Sequence, residues 1–281
     1  MNRRSFFASS AAVTAGALSS STPVAAAEGK FQLGSVTYNL LQNMDLETCI
    51  TTLEKAGYAA IELRTTHKHG VEPSIDAAAR VKVKERFARS KVRLLSYGST
   101  CEFQSPDEAV RRQQIEIGKT FVDLAKDTGA LAVKVRPNGL PAGVPVETTV
   151  KNIAGGLHEL ADYGQSKGIE IWMEVHGSKT QEFPLASQIL RAADHKNVGA
   201  CWNSNPTDVV DGSVKQAFAA LGPFIRNCHI TELTSGYPYR EFFGLLRASG
   251  YSRYTLAEVN ESKETDRFML YYRALWEQLN S

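Results

Sequence analysis

Short runs rich in β-branched and aromatic residues alternate with amphipathic helical segments along the chain after residue 28. Glycines such as Gly57 and Gly129 end several predicted helices just before the next strand. Strict alternation favours a parallel sheet, because every crossover helix returns the chain to the same edge of the sheet. The predicted strands are residues 31–39, 59–64, 92–98, 131–136, 169–176, 198–203, 225–233 and 254–260. The predicted helices are residues 45–56, 75–90, 107–128, 146–166, 184–193, 214–220, 240–248 and 264–279.

Eight strand–helix units in about 250 residues match the size of a closed (β/α)₈ TIM barrel. A doubly wound sheet usually has fewer units and a glycine-rich phosphate loop after its first strand. Here residues 40–43, Leu-Leu-Gln-Asn, follow that strand. No linker or low-complexity sequence interrupts the chain after residue 28. The sequence therefore predicts a single α/β domain, a TIM barrel over residues 28–281.

Residues 1–27 have the pattern of an export signal. Arg3 and Arg4 precede two phenylalanines and an Ala/Ser-rich stretch, and residues 25–27, Ala-Ala-Ala, supply a cleavage site. The segment resembles a twin-arginine signal peptide, which implies the twin-arginine export machinery as a partner and a periplasmic or otherwise extracytoplasmic location. The alternative is an ordinary Sec signal with two arginines. The stretch is too short and too rich in Ala and Ser for a stable membrane anchor.

Charge and cysteine content exclude several classes of protein. The chain has 32 Lys and Arg against 30 Asp and Glu, and without residues 1–27 the two counts are equal. A nucleic-acid partner is therefore not expected, since such proteins carry clustered positive charge. Four cysteines are too few for a disulfide scaffold, and we expect free buried thiols. A homo-oligomer is compatible with the sequence.

Polar residues cluster at the predicted strand ends, where TIM barrels carry their active sites. Because side chains alternate along a strand, Glu174 and His176 share one face of the fifth strand. Asn203, His229 and Glu258 end the next three strands. One such glutamate alone is often a structural ion-pair partner. Two glutamates, a histidine and an amide oxygen on four successive strands instead favour a divalent-metal site.

Several short motifs occur in the order found in one known family. They are Gly57-x-x-x-Ile61-Glu62, Gly168-Ile169-x-x-x-x-Glu174, Val198-Gly199 with Asn203, residues 228–232 (Cys-His-Ile-Thr-Glu) and residues 251–258. The chain resembles the xylose isomerase-like barrel superfamily, in its sugar phosphate isomerase/epimerase branch. This resemblance implies that Glu174, Asn203, His229 and Glu258 bind one divalent metal ion, Mn²⁺ or Mg²⁺ first and Zn²⁺ or Co²⁺ second. Position 203 is Asn where the family usually has Asp, so we expect metal binding to be weakened or lost.

The resemblance also implies a metal-dependent sugar isomerase or epimerase that moves a proton through an enediolate at a carbon next to a carbonyl. Glu174 and Glu258 are the candidate catalytic carboxylates. The candidate substrate-binding residues are Glu62, Arg64, Lys134, Arg136, His176, Asn205 and Glu232. For Arg64 and Arg136, pairing with a neighbouring glutamate is an equal alternative. Glu232 could instead orient His229, and Asn205 stands where the family often has a substrate-binding histidine.

Three alternatives follow from the same residues. A lyase or dehydratase acting on a keto-sugar, inosose or oxidised glycoside would share the first half-reaction. A non-catalytic sugar-binding barrel would result if Asn203 abolishes metal binding. An apurinic-site endonuclease needs a three-zinc cluster and a basic face, which six histidines and a near-neutral charge do not support.

Overall fold

The computed structural model describes residues 29–281, so the predicted export signal at residues 1–27 lies outside the described part. Eight strands close into one barrel in chain order, all parallel, with the eighth strand paired to the first. This architecture confirms the predicted TIM barrel. The strands are β1 (Gln32–Val36), β2 (Ala60–Arg64), β3 (Arg93–Gly98), β4 (Ala132–Val135), β5 (Glu170–Glu174), β6 (Val198–Asn203), β7 (Ile225–Ile230) and β8 (Tyr254–Ala257).

A helix follows each strand and packs on the outside of the barrel. Asp45 caps the first helix by accepting a hydrogen bond from the backbone N–H of Thr48 at 2.8 Å. Asp107 caps the third helix by accepting a hydrogen bond from the backbone N–H of Ala109 at 2.8 Å. The helices are α1 (Leu46–Ala56), α2 (Ala77–Ala88), α3 (Glu108–Thr128), α4 (Val146–Gln165), α5 (Phe183–Ala193), α6 (Lys215–Leu221), α7 (Tyr239–Ala248) and α8 (Thr265–Leu279). Within residues 29–281, no helix combines the length and the apolar content needed to cross a bilayer.

Several predicted strands are longer than the observed ones. The runs predicted over residues 31–39 and 254–260 leave the sheet after Val36 and Ala257. Residues beyond these points turn out of the hydrogen-bonded ladder and form the rim of the barrel. The alternation of apolar and polar residues continues beyond the ends of these two strands, because the rim is also half-buried.

The core has two parts. A large apolar layer lies between the strands and helices and includes Cys228. A smaller cluster fills the barrel interior and includes Cys201, so the two cysteines face opposite sides of the sheet. All four cysteines are free and buried, as predicted. The interior cluster consists of Val36, Ala60, Leu95, Ala132, Trp172, Cys201 and Leu256.

The loops after β6 and β7 are joined through a buried acid, Asp208. Its Oδ2 atom accepts hydrogen bonds from the backbone N–H of Asn205 at 2.9 Å and the hydroxyl of Tyr237 at 3.0 Å. Its Oδ1 atom is buried and has no hydrogen-bond partner within the described residues. Burial raises the pKa of Asp208 to about 7, although the two donors oppose the shift.

We expect Asp208→Asn to stabilise the protein at pH 8 by about 2–4 kcal/mol and to change stability little at pH 4. The folded state holds the proton up to about pH 7, whereas an unfolded aspartate ionises near pH 4. Stability therefore falls as the pH rises through this window, and the amide removes that loss. Denaturant unfolding of both proteins at the two pH values measures the effect. A variant no more stable than wild type at pH 8 would contradict the buried-acid interpretation.

Candidate active site

A cavity of about 300 Å³ opens at the carboxyl ends of the strands. A larger depression of about 600 Å³ lies near Tyr251 and Arg253, at the opposite end of β8 from Glu258. Potential metal ligands cluster only at the first cavity, as far as residues 29–281 are concerned. This cavity is lined by Val36, Tyr38, Asn39, Arg64, Lys134, Arg136, Glu174, His176, Asn203, Thr231, Glu258, Val259 and Asn260.

Glu174 and Glu258 line this cavity, and the fully buried His229 beside them adds a third potential metal ligand. One ligand atom from each residue lies within 4.8 Å of the other two. The Nδ1 atom of His229 is 3.5 Å from Glu174 Oε1 and 3.5 Å from Glu258 Oε2. This nitrogen is buried and has no hydrogen-bond partner in the described chain. A buried unpaired nitrogen costs about 1–3 kcal/mol, and a cation among the three groups would satisfy it, so the donor set fits a divalent metal.

Asn203 adds an amide to the same cavity. It is the last residue of β6 and pairs in register with His229 of β7. Its side chain is nearly buried and lines the cavity beside Glu174 and Glu258. An amide oxygen can bind a hard cation but brings no charge. Asn203 therefore shares the cavity with Glu174 and Glu258, and its role as a metal ligand stays a prediction.

We expect Asn203→Asp to raise the affinity for Mn²⁺ by about tenfold or more, because a carboxylate adds negative charge to the ligand set. Isothermal titration of metal-stripped protein gives the dissociation constants of the two proteins. Asn280→Asp is a matched control, since Asn280 follows α8 outside the cavity lining and its side-chain oxygen accepts a hydrogen bond from Arg247 at 2.7 Å. An equal or lower affinity in Asn203→Asp would show that position 203 does not face the ion.

Lys134 of β4 forms a buried ion pair with Glu174, with 2.6 Å between Nζ and Oε2. Burial opposes both charges, but the attraction between them outweighs it. The pKa of Lys134 is raised, and the pKa of Glu174 lies well below its usual range, with His229 contributing to the latter shift. Glu174 is thus held as a carboxylate, and Lys134 presents an ammonium group to the cavity.

Three other predicted substrate contacts also line the cavity. Arg136 is paired with Glu102 in the loop after β3, with 3.1 Å between Nη2 and Oε1, which matches the alternative considered for it. The guanidinium of Arg64 lies over the ring of Tyr38, 5.3 Å from its centroid. His176 is half-buried, and its Nδ1 atom has no partner among the described residues. Arg64 also donates from Nη1 to the backbone oxygen of Thr65 at 3.1 Å, and the contact of Arg64 and His176 with substrate stays a prediction.

The structure places Glu62, Asn205 and Glu232 away from the cavity lining. Glu62 is fully buried beneath the site. Burial disfavours its ionisation, but His229, Lys134 and Ser96 outweigh this and lower the pKa of Glu62. The amide of Asn205 donates to the backbone of β5 and β6 and ties the loop down. Contact of Glu62, Asn205 and Glu232 with substrate stays a prediction, and it requires that these three side chains move.

Six cavity residues were not predicted as site residues: the apolar Val36 and Val259, and Tyr38, Asn39, Thr231 and Asn260. Asn260 shares a face of the predicted eighth strand with Glu258, so the alternation already pointed to it. Tyr38 and Asn39 fell in the run assigned to the first strand. Only their position at the rim, beyond the end of β1, brings them into the site.

The closed barrel and the carboxylate–histidine cluster at its mouth define a TIM-barrel protein with a candidate metal centre. The family model described as xylose isomerase-like TIM barrel matches residues 50–274, and the chain belongs to that family. It is 25% identical over 201 residues to the inosose isomerase of Bacillus velezensis, covering 70% of this chain and 71% of the relative.

Two solved structures share the fold. The IOLI protein with a bound zinc atom superposes with a TM-score of 0.72 at 20% identity, covering 89% of this chain and 96% of that one. The D-psicose 3-epimerase of Clostridium cellulolyticum H10 with D-tagatose gives a TM-score of 0.77 at 12% identity, covering 89% and 100%. Zinc and a ketose are thus bound by proteins with this architecture.

Proposed function

We propose that the protein is a metal-dependent isomerase or epimerase of a keto-sugar or inosose. The observation that carries the proposal is the cluster of Glu174, His229 and Glu258 around an unsatisfied buried nitrogen. Family membership and the similarity to an inosose isomerase support the reaction type. The cavity of about 300 Å³ is at the lower end of the usual range for small-molecule sites.

Glu174, His229 and Glu258, with Asn203, would hold one divalent cation, which supplies Lewis-acid stabilisation of an enediolate oxygen when bound. The side chain of Glu258 is 19% exposed, against 4% for Glu174. Glu258 is therefore better placed to take a proton from the carbon next to the carbonyl and exchange it with water. Glu174 is held as a carboxylate by Lys134, so it can serve as the second proton donor only after the ammonium of Lys134, which donates a hydrogen bond to its Oε2 atom at 2.6 Å, has passed it a proton.

Lys134, Arg64 and His176 are the groups that would orient the substrate. The ammonium of Lys134 can donate to a hydroxyl or carbonyl oxygen while it stays paired with Glu174. The ring of Tyr38 at the rim offers an apolar face for a sugar ring. Such fixed donors hold the reacting carbon near the carboxylates, and this positioning contributes to the rate of proton transfer.

Product analysis tests the proposal. Purified protein with Mn²⁺ is incubated with a panel of ketoses and inososes, and the products are identified by NMR. An isomer or epimer is expected, and its formation should stop when the metal is chelated. An unsaturated product would favour the lyase that shares this site. Binding of a sugar without turnover, and without metal, would favour the non-catalytic barrel and overturn the proposal.

We also propose that the protein acts outside the cytoplasm after export by the twin-arginine route. The motif at Arg3 and Arg4 and the Ala-Ala-Ala cleavage site support this location. Cell fractionation of the full chain and of an Arg3→Lys, Arg4→Lys variant tests it. The wild type should appear in the periplasm and the variant in the cytoplasm, whereas equal export of both would favour the Sec route.

A further inference from the structure

We infer that Glu62 is a positioning residue for the metal centre: it fixes the orientation of His229 and supplies the negative charge that Asn203 does not. The inference rests on the proposed metal-dependent function. Glu62 lies at Nε2 of His229, on the side of the ring away from Glu174 and Glu258. This positioning role replaces the substrate contact that the sequence predicted for Glu62.

The contacts of Glu62 point to this role. Its Oε1 atom lies 3.3 Å from Nε2 of His229, and both side chains are completely buried. Neither atom makes a hydrogen bond within residues 29–281, and the 3.3 Å contact makes each the available partner of the other. With Nε2–H directed to Glu62, the opposite nitrogen, Nδ1, is left as an acceptor facing Glu174 and Glu258. That is the tautomer a metal ligand needs.

The barrel interior is built to hold this carboxylate in place. The hydroxyl of Ser96 donates to the second oxygen, Oε2, at 2.7 Å. A Cβ atom at position 98 would lie 2.8 Å from Glu62 Oε1, so Gly98 leaves the space that Glu62 occupies. One oxygen is thus anchored by β3, and the other is directed at β7. A carboxylate behind a ligating histidine fixes the ring and raises its basicity.

The charges around the site support the same conclusion. Glu174 and Glu258 are the two carboxylates beside Nδ1 of His229, and Lys134 neutralises one charge through its ion pair. Without Glu62, the groups around the ring would carry one net negative charge. With Glu62 they carry two, which matches a divalent cation. Glu62 therefore restores, from behind the histidine, the charge that an aspartate at position 203 would provide.

Titration of metal-stripped protein with Mn²⁺ tests the inference by affinity, independently of turnover. We expect Glu62→Gln to weaken Mn²⁺ binding by about 10–100-fold and Glu62→Asp to recover part of the loss. Glu170→Gln is the matched control: Glu170 is a partly buried carboxylate in an ion pair with Arg253 at the start of β5, the opposite end of that strand from Glu174. This control should bind Mn²⁺ as wild type does.

An affinity of Glu62→Gln within twofold of wild type would overturn the inference and leave the proposed function intact. Absence of Mn²⁺ binding by wild type would instead overturn the proposed metal site, and the inference with it. If circular dichroism shows that Glu62→Gln does not fold, Ser96→Ala replaces it, because it keeps Glu62 but removes one anchor. We then expect a loss of about 3–10-fold, and unchanged affinity would count against the inference.

Discussion

Replacing Glu258 by Gln is expected to lower kcat on the substrate found by product analysis by about 1000-fold or more. The carboxylate is both a proton acceptor and a ligand, and general base catalysis alone contributes about 10²–10⁴-fold. The amide has almost the same shape but cannot accept a proton. Steady-state kinetics at saturating Mn²⁺ measure the loss.

Glu258→Gln is the cleaner of the two carboxylate variants. Glu174→Gln should be at least as inactive, but it would leave the buried ammonium of Lys134 without its partner. Breaking a buried ion pair costs about 3–5 kcal/mol. A loss of activity in Glu174→Gln could therefore result from destabilisation of the fold as well as from loss of the catalytic carboxylate. Glu170→Gln controls for removal of a partly buried carboxylate and should keep wild-type kcat. Activity of Glu258→Gln within tenfold of wild type would exclude Glu258 as the base.

Mn²⁺ binding is expected to release about one proton at neutral pH, and the affinity should fall about tenfold for each pH unit as the pH is lowered. Burial disfavours the imidazolium form of His229, but Cys201 and the carboxylates of Glu62 and Glu258 outweigh it and raise the pKa of His229 well above its ordinary value. The protonated form of the metal-free ring is thus favoured. A cation must displace that proton, so acid competes with metal.

Calorimetry in two buffers with different ionisation enthalpies gives the number of protons released. His229→Gln is the control, since a glutamine side chain carries no ionisable proton that metal binding could displace. It should also bind Mn²⁺ about 100-fold or more weakly, because the set loses its only nitrogen ligand. An affinity that is the same at pH 6 and pH 8 would show that His229 is not a ligand.

The fold followed from local signals. Each strand–helix unit shows its own periodicity, and glycines such as Gly57 end helices in the left-handed conformation that favours this residue. Closure into a barrel then brings residues of separate strand ends together without any further signal. This is why Glu174, His229 and Glu258 could be predicted to converge from their positions alone.

The contacts within the site could not be predicted in the same way. Alternation gives the face on which a side chain lies but not its height along the barrel axis. Glu62 shows the difference, since the β2–β3 register shifts between Ile61 and Glu62, and the side chain lies beneath the cavity. The pairing of Arg136 with Glu102 depends on a loop whose conformation has no periodic signature.

Deuterium exchange tests the proposed chemistry most directly. The protein is incubated with Mn²⁺ and its substrate in D₂O, and NMR follows the hydrogen on the carbon next to the carbonyl. Proton transfer through an enediolate predicts that deuterium enters this position in the product, that chelation of the metal stops the exchange, and that Glu258→Gln does not catalyse it. A product that keeps its original hydrogen, or exchange that continues without metal, would contradict a metal-dependent enediolate mechanism.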